Sequence, residues 1–340
     1  MLNRYDQRVI IMAAGLWFLV LTTGSSLADK SQVHAKSKAL AHYIMAVVND
    51  LNGDDQQAIK EYEKTAKYDR REPIPHLRLG AYYSRLGRLA EATKQLKIVI
   101  TLQPNLSQAH YLLALVYSSQ RKYELAASEY ETILKIADKD NSNNVDVHAY
   151  LGQLYFALRK YLQAEIQLAK VLEFQPKNVS ALYLEGNIYS ELNQTEKAKE
   201  DFRKVLSIEP EHDGSLNSLA YIYAEEGTNL DDALKMAKRA VELDPSNGAY
   251  YDTLGWVLFK QGFNAEGLMA LEKAKKYVTD PLLYEHMGDV YKASNEPTLA
   301  RKFWLKSLAL DPKQIKVSQK IEQLNKTSAH NQGVQYNSSK

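Results

Sequence analysis

Four histidines, His42, His76, His110 and His148, recur at steps of 34, 34 and 38 residues. Evenly spaced imidazoles could form a metal or proton-relay ladder. If they occupy equivalent helix positions, however, neighbours stand on the order of 10 Å apart, whereas the ligands of one zinc each sit ~2 Å from it. The spacing therefore predicts rings packed between helices, with one nitrogen of each open to water. The segment Asp138 to Asp146 (DKDNSNNVD) mimics the start of a calcium loop, but Asn143 stands where such a loop needs glycine and Ala149 where it needs a bidentate glutamate. A solvated helix–helix loop is the expectation there. Catalytic signatures are missing from the sequence: no His-Glu-x-x-His, no Gly-x-Ser-x-Gly, no phosphate-cradling glycine loop and no cysteine at all. No enzyme activity, cofactor or metal is expected.

The elements that carry these residues come from a repeat. A large apolar residue precedes a small one, with an aromatic three residues later, as in Leu79-Gly80 with Tyr83, Leu113-Ala114 with Tyr117, Leu151-Gly152 with Tyr155 and Leu219-Ala220 with Tyr223. Glu185-Gly186 with Tyr189 keeps the pattern with a polar first residue, and Met45-Ala46 opens the series. From Ala46 the small residue returns after 34, 34, 38, 34, 34, 35 and 33 residues. Twelve residues beyond it stands a second small one (Ala58, Ala92, Ala126, Ala164, Ala198, Gly267, Ala300), then a bulky apolar residue four later. Prolines 104, 176, 210, 245 and 312 close units. The unit containing Ala220 has one extra residue in its turn. At 100° per residue, His76, Leu79, Gly80 and Tyr83 share one helix face, against which a second helix carrying Ala92 and Leu96 can pack closely.

This pattern resembles the tetratricopeptide repeat family over residues 39–314. The resemblance implies an all-α fold, a right-handed α-solenoid of about eight helix-turn-helix repeats: 39–72, 73–106, 107–144, 145–178, 179–212, 213–247, 248–280 and 281–314. A single hairpin leaves apolar surface wet, so repeats must stack and the end needs a cover. Residues 315–325, with Val317, Ile321 and Leu324 on one face and Lys320 among those free to face water, read as a capping helix. Residues 29–38 read as a lead and 326–340 as a disordered tail.

The family implies a concave groove for a protein or peptide segment, lined by the face of each first helix opposite its core stripe. Numbering each repeat so that the small residue is place eight, places two, six, nine and thirteen lie on that face, with five and twelve on its flank. The groove residues expected from this count are Tyr111, Tyr183, Asn187, Asn217, Tyr221, Asp252, Trp256, Glu285 and Asp289. Rings give contact area at low entropic cost, amides pair with a backbone, and the acids at the C-terminal end select a basic or amide-rich segment. Place five holds no lysine or arginine, so the carboxylate clamp known in the family is not expected.

Composition agrees with a binding role that is local. With 43 basic and 41 acidic residues among 340, the chain carries a formal +2, and nothing in that balance asks for nucleic acid. Residues 1–28 read as an export signal: Arg4 and Arg8, the apolar run Val9–Thr22, then Ser26-Leu27-Ala28 before an expected cleavage. A periplasmic or secreted scaffold for envelope or secretion-system assembly is the expectation. The alternative is an uncleaved N-terminus holding the scaffold at the inner membrane, although the run is shorter than the ~20 residues of a spanning helix.

Overall fold

The computed structural model describes residues 27–137 and 144–337, and the described residues are helical hairpins joined by short turns. The candidate calcium segment lies largely outside them, as does the export signal up to residue 26. The chain divides into two compact units between Val147 and His148. The repeat pattern predicts an array without a boundary. The division falls just after the connection lengthened by four residues.

The first unit holds α1 (Leu27–Leu51), α2 (Asp55–Tyr68), α3 (Pro73–Arg85), α4 (Leu89–Leu102), α5 (Ser107–Ser119) and α6 (Tyr123–Ala137). They pair as α1 with α2, α3 with α4 and α5 with α6, and each hairpin packs on the next. The expected lead is not separate, because α1 runs through it from Leu27. The helix α7 (Val145–Ala157) crosses the division. The second unit continues with α8 (Tyr161–Phe174), α9 (Val179–Glu191), α10 (Thr195–Ile208), α11 (Asp213–Glu226), α12 (Leu230–Leu243), α13 (Gly248–Lys260), α14 (Asn264–Ala274), α15 (Pro281–Ala293), α16 (Pro297–Leu310) and α17 (Ile315–Asn337). The helix α17 runs on through residues expected to be a tail, where no proline interrupts it. Its Val317 and Ile321 bury against Ala300 and Trp304, closing the end of the stack.

Local chemistry explains the boundaries. Each proline of the repeat stands two residues past the end of a second helix, as Pro104 does after Leu102 and Pro312 after Leu310. Inside every hairpin the first helix stops at place fifteen in the left-handed region: Gly53, Gly87, Arg121, Arg159, Asn193, Gly227, Gly262 and Asn295. The extra residue of the sixth repeat is absorbed by a second left-handed residue, Asn229 (φ 48°).

Small residues at place eight set how closely the two helices approach. Where place eight is glycine, the residue at place twenty-four lies directly over it. An added Cβ would stand 2.6 Å from Leu96 at Gly80, 2.7 Å from Phe202 at Gly186 and 2.3 Å from Trp304 at Gly288. Where place eight is alanine, place twenty-four is Tyr62, Tyr130 or Ala237. A small residue thus faces a large one in every hairpin but the sixth, where Ala220 faces Ala237. Gly288→Ala should cost about 2 kcal/mol, because the fully buried Trp304 ring cannot withdraw. A urea melt of the variant measures it.

Candidate peptide-binding face

In the first unit the histidines are fastened inside their own hairpins. The His42 Nδ1–H donates to Glu61 at 2.6 Å, His76 to Gln95 at 2.6 Å and His110 to Glu129 at 2.6 Å. In the second unit His148 does the same to Gln167 at 2.7 Å. Every pair is 19 residues apart, place four to place twenty-three, so the ladder is a repeated strut between first and second helix. The expectation of one wet nitrogen fails at two of them. The His110 Nε2 lies 2.8 Å from the Pro104 carbonyl oxygen, and His76 Nε2 is buried without a hydrogen-bond partner. Tyr111 is half-buried, edge-on to Tyr130 at 5.8 Å between ring centroids.

The remaining expected groove residues belong to the second unit, and the structure separates them into three kinds. Tyr183 joins neighbouring repeats. Its ring lies 5.8 Å from Phe202 and 4.7 Å from His212, and a Cβ on Gly214 would meet its hydroxyl at 2.6 Å. Trp256 is also packing, at 6% exposed, although the face count places it in the open. The reason is His286, at place six of the next first helix, whose ring stacks on the indole at 4.0 Å and 16°. The indole N–H donates to Glu225 at 2.6 Å, and the Lys260 ammonium sits 4.8 Å from the ring centroid.

Glu285 and Asp289 form the second kind. Both accept from the Lys320 ammonium at 2.6 Å, and Asp289 also accepts from the Trp304 indole at 2.9 Å. Lys320 is therefore turned inward onto α15, correcting the expectation that it faces water, and the chain itself offsets half the charge of this acidic pair. Burial pulls the Lys320 pKa down, but its hydrogen bonds to Asp289 and Glu285 outweigh this and hold it above the ordinary lysine value. Lys320→Met should cost about 1–2 kcal/mol by stranding two carboxylates. Hydrogen exchange of α17 would show the loss as faster opening of the cap.

The third kind has hydrogen-bonding capacity to spare. Asn187 and Tyr221 are partly buried, and among the described residues their side-chain polar groups have no hydrogen-bond partner. The Asn217 Oδ1 is buried without one. Asp252 accepts from His286 Nδ1–H at 2.9 Å, which orients the buried ring. The Tyr221 ring lies 6.2 Å from that imidazole. Burial, then Glu225, Asp252 and Glu285, raise the Tyr221 phenol above its ordinary pKa, keeping it a neutral donor. Sequence reasoning missed Glu225, Lys260 and His286. The first two stand four residues after Tyr221 and Trp256, a helical spacing that could have found them, whereas His286 has no counterpart in other repeats.

Comparison with known proteins gives the class. Models of the tetratricopeptide repeat match residues 77–142 and 179–212. The chain is a tetratricopeptide repeat protein, built on a fold that serves as a non-enzymatic scaffold for protein interactions. Among its relatives it is 26% identical over 218 residues to TPR repeat-containing protein PA4667 of Pseudomonas aeruginosa, covering 62% of this chain and 36% of that protein. It is 30% identical over 150 residues to the Arabidopsis thaliana protein CTR9 homolog, covering 44% of this chain and 14% of that protein. The chain thus spans about a third or less of these two relatives. A crystal structure of a tetratricopeptide repeat protein from Parabacteroides merdae superposes with a TM-score of 0.58 at 19% identity, covering 74% of this chain and 98% of that one, a likeness of fold.

Proposed function

We propose that the second unit binds a segment of a protein partner along α9 and α11, with Tyr221 at the centre. One observation carries this reading: Asn187 on α9 and Tyr221 on α11, partly buried and without a hydrogen-bond partner within the described residues, stand with the buried Asn217 Oδ1 beside aromatic rings on two adjacent first helices. Where water reaches these groups, a peptide's amides can take its place. Because Lys320 already binds both Glu285 and Asp289 and offsets half of their charge, the segment is amide-rich as well as basic. Arg4, Arg8, the apolar run and Ser26-Leu27-Ala28 support the further reading that the scaffold is exported and serves envelope or secretion-system assembly. No helix among the described residues is long and apolar enough to cross a membrane. N-terminal sequencing of the protein from cells tests export, and a chain beginning at Met1 in the membrane fraction would contradict it.

Tyr221→Phe isolates the binding role, because it removes only the hydroxyl. Affinity for the partner should fall about 3- to 10-fold, the value of one hydrogen bond, with the melting midpoint unchanged. Calorimetric titration measures this. Equal affinity in the variant would remove Tyr221 from the site.

A further inference from the structure

The first repeat leaves open a face that all later repeats close. Place ten of the first helix is buried in the seven others, from Tyr82 to Val290, with none more than 8% exposed. Its counterpart Val48 is 44% exposed, and Met45 at place seven is 52% exposed. In later repeats the second helix of the preceding hairpin helps to cover this face, as Phe202 does in the cluster with Leu219 and Ile222. On α1, Ile44, Met45, Val48 and Leu51 form one exposed apolar stripe about 120° wide.

We propose that this stripe pairs with the same stripe of a second copy of the chain, α1 antiparallel to α1 about a two-fold axis near residues 46 and 47. Such a contact is isologous, so an apolar stripe meets an apolar stripe. The charges favour it. Exposed Lys36 and Lys38 lie toward the N-terminal end of α1 and exposed Asp54 just past its C-terminal end, while Asp55 is already paired with Arg85, so the antiparallel arrangement sets each basic end against the partner's Asp54. An anionic lipid surface would be repelled at the aspartates. The patch is small against the ~800 Å² per partner of a standard interface, so the dimer forms at micromolar concentration. This inference is independent of the peptide-binding reading.

The absence of cysteine makes the test clean. Full-length chain carrying Val48→Cys is treated with a bismaleimide on the order of 10 Å long, beside Lys94→Cys, an exposed position on α4. The Val48 variant should cross-link to dimer at least tenfold faster, and Lys36→Glu with Lys38→Glu should slow it. In sedimentation the wild type should be a monomer–dimer mixture at about 100 µM, and Met45→Glu a monomer with unchanged melting. Equal cross-linking rates with a wild-type monomer overturn the proposal. So does a Met45→Glu variant that melts several degrees lower, which would mean that the chain covers its own stripe, and so do an open polymer or flotation of monomer with anionic vesicles.

Discussion

Trp256→Ala is expected to destabilise the second unit by about 3–5 kcal/mol, the usual cost of deleting a buried large aromatic. The indole is 6% exposed, stacks on His286, donates to Glu225 and lies beneath Lys260. Removing it opens a cavity and takes away the ring on which His286 stacks. Because a repeat array behaves as a chain of neighbouring interfaces, the loss should appear as early unfolding around α11–α15 and not as a uniform shift of the whole melt. Hydrogen exchange followed through a urea series resolves the two. A variant that keeps full protection in α13 while losing partner affinity would return Trp256 to the binding face and reverse its assignment as packing.

Glu185 supplies the second large effect, and it depends on pH. The residue stands at place seven, where most repeats carry leucine, and is partly buried. Burial, then the neighbouring Asp201, push its pKa from the ordinary 4.5 up to about 7, with Glu165 adding to the rise and Lys204 and Lys197 opposing it. Asp201 is itself raised by burial, and its Oδ2 is buried without a partner. Because Glu185 binds its proton more tightly in the folded state, folding takes up a proton between pH 4.5 and 7. Its stability contribution is complete below pH 4.5 and is lost as pH rises through about 7. The loss is on the order of 2–3 kcal/mol. Denaturant melts at pH 5 and pH 8 should therefore diverge more in wild type than in Glu185→Gln. Glu185→Leu should be the more stable protein at pH 8. A Glu185→Gln variant with the wild-type pH dependence would show that the carboxylate is solvated.

The contrast between these residues shows what the sequence makes legible. The hairpins could be read from Gly80, Tyr83, Ala92 and Leu96 because packing in a repeat is local: the same two helices meet each time at the same places, and helical periodicity reports the meeting face. The face count failed at Trp256, Glu285 and Asp289 for one physical reason. Their surroundings come from outside the single helix on which the count is made: His286 from the next first helix, and Lys320 from a cap outside the repeat. Place fifteen was legible and unread. Its glycines and asparagines announce a left-handed residue, but Arg121 and Arg159 in the same conformation hide the rule.

The claim that the Tyr221 face binds an extended segment can be tested without knowing the natural partner. A random peptide library displayed on phage is selected on the full-length protein, and affinities of the recovered peptides are measured against wild type, Tyr221→Phe and Asn187→Ala. Recovered peptides should be amide-rich, compete with one another for one site, and bind each variant about 3- to 10-fold more weakly while the variants melt as wild type does. Peptides that bind both variants with wild-type affinity would contradict the assignment of this face.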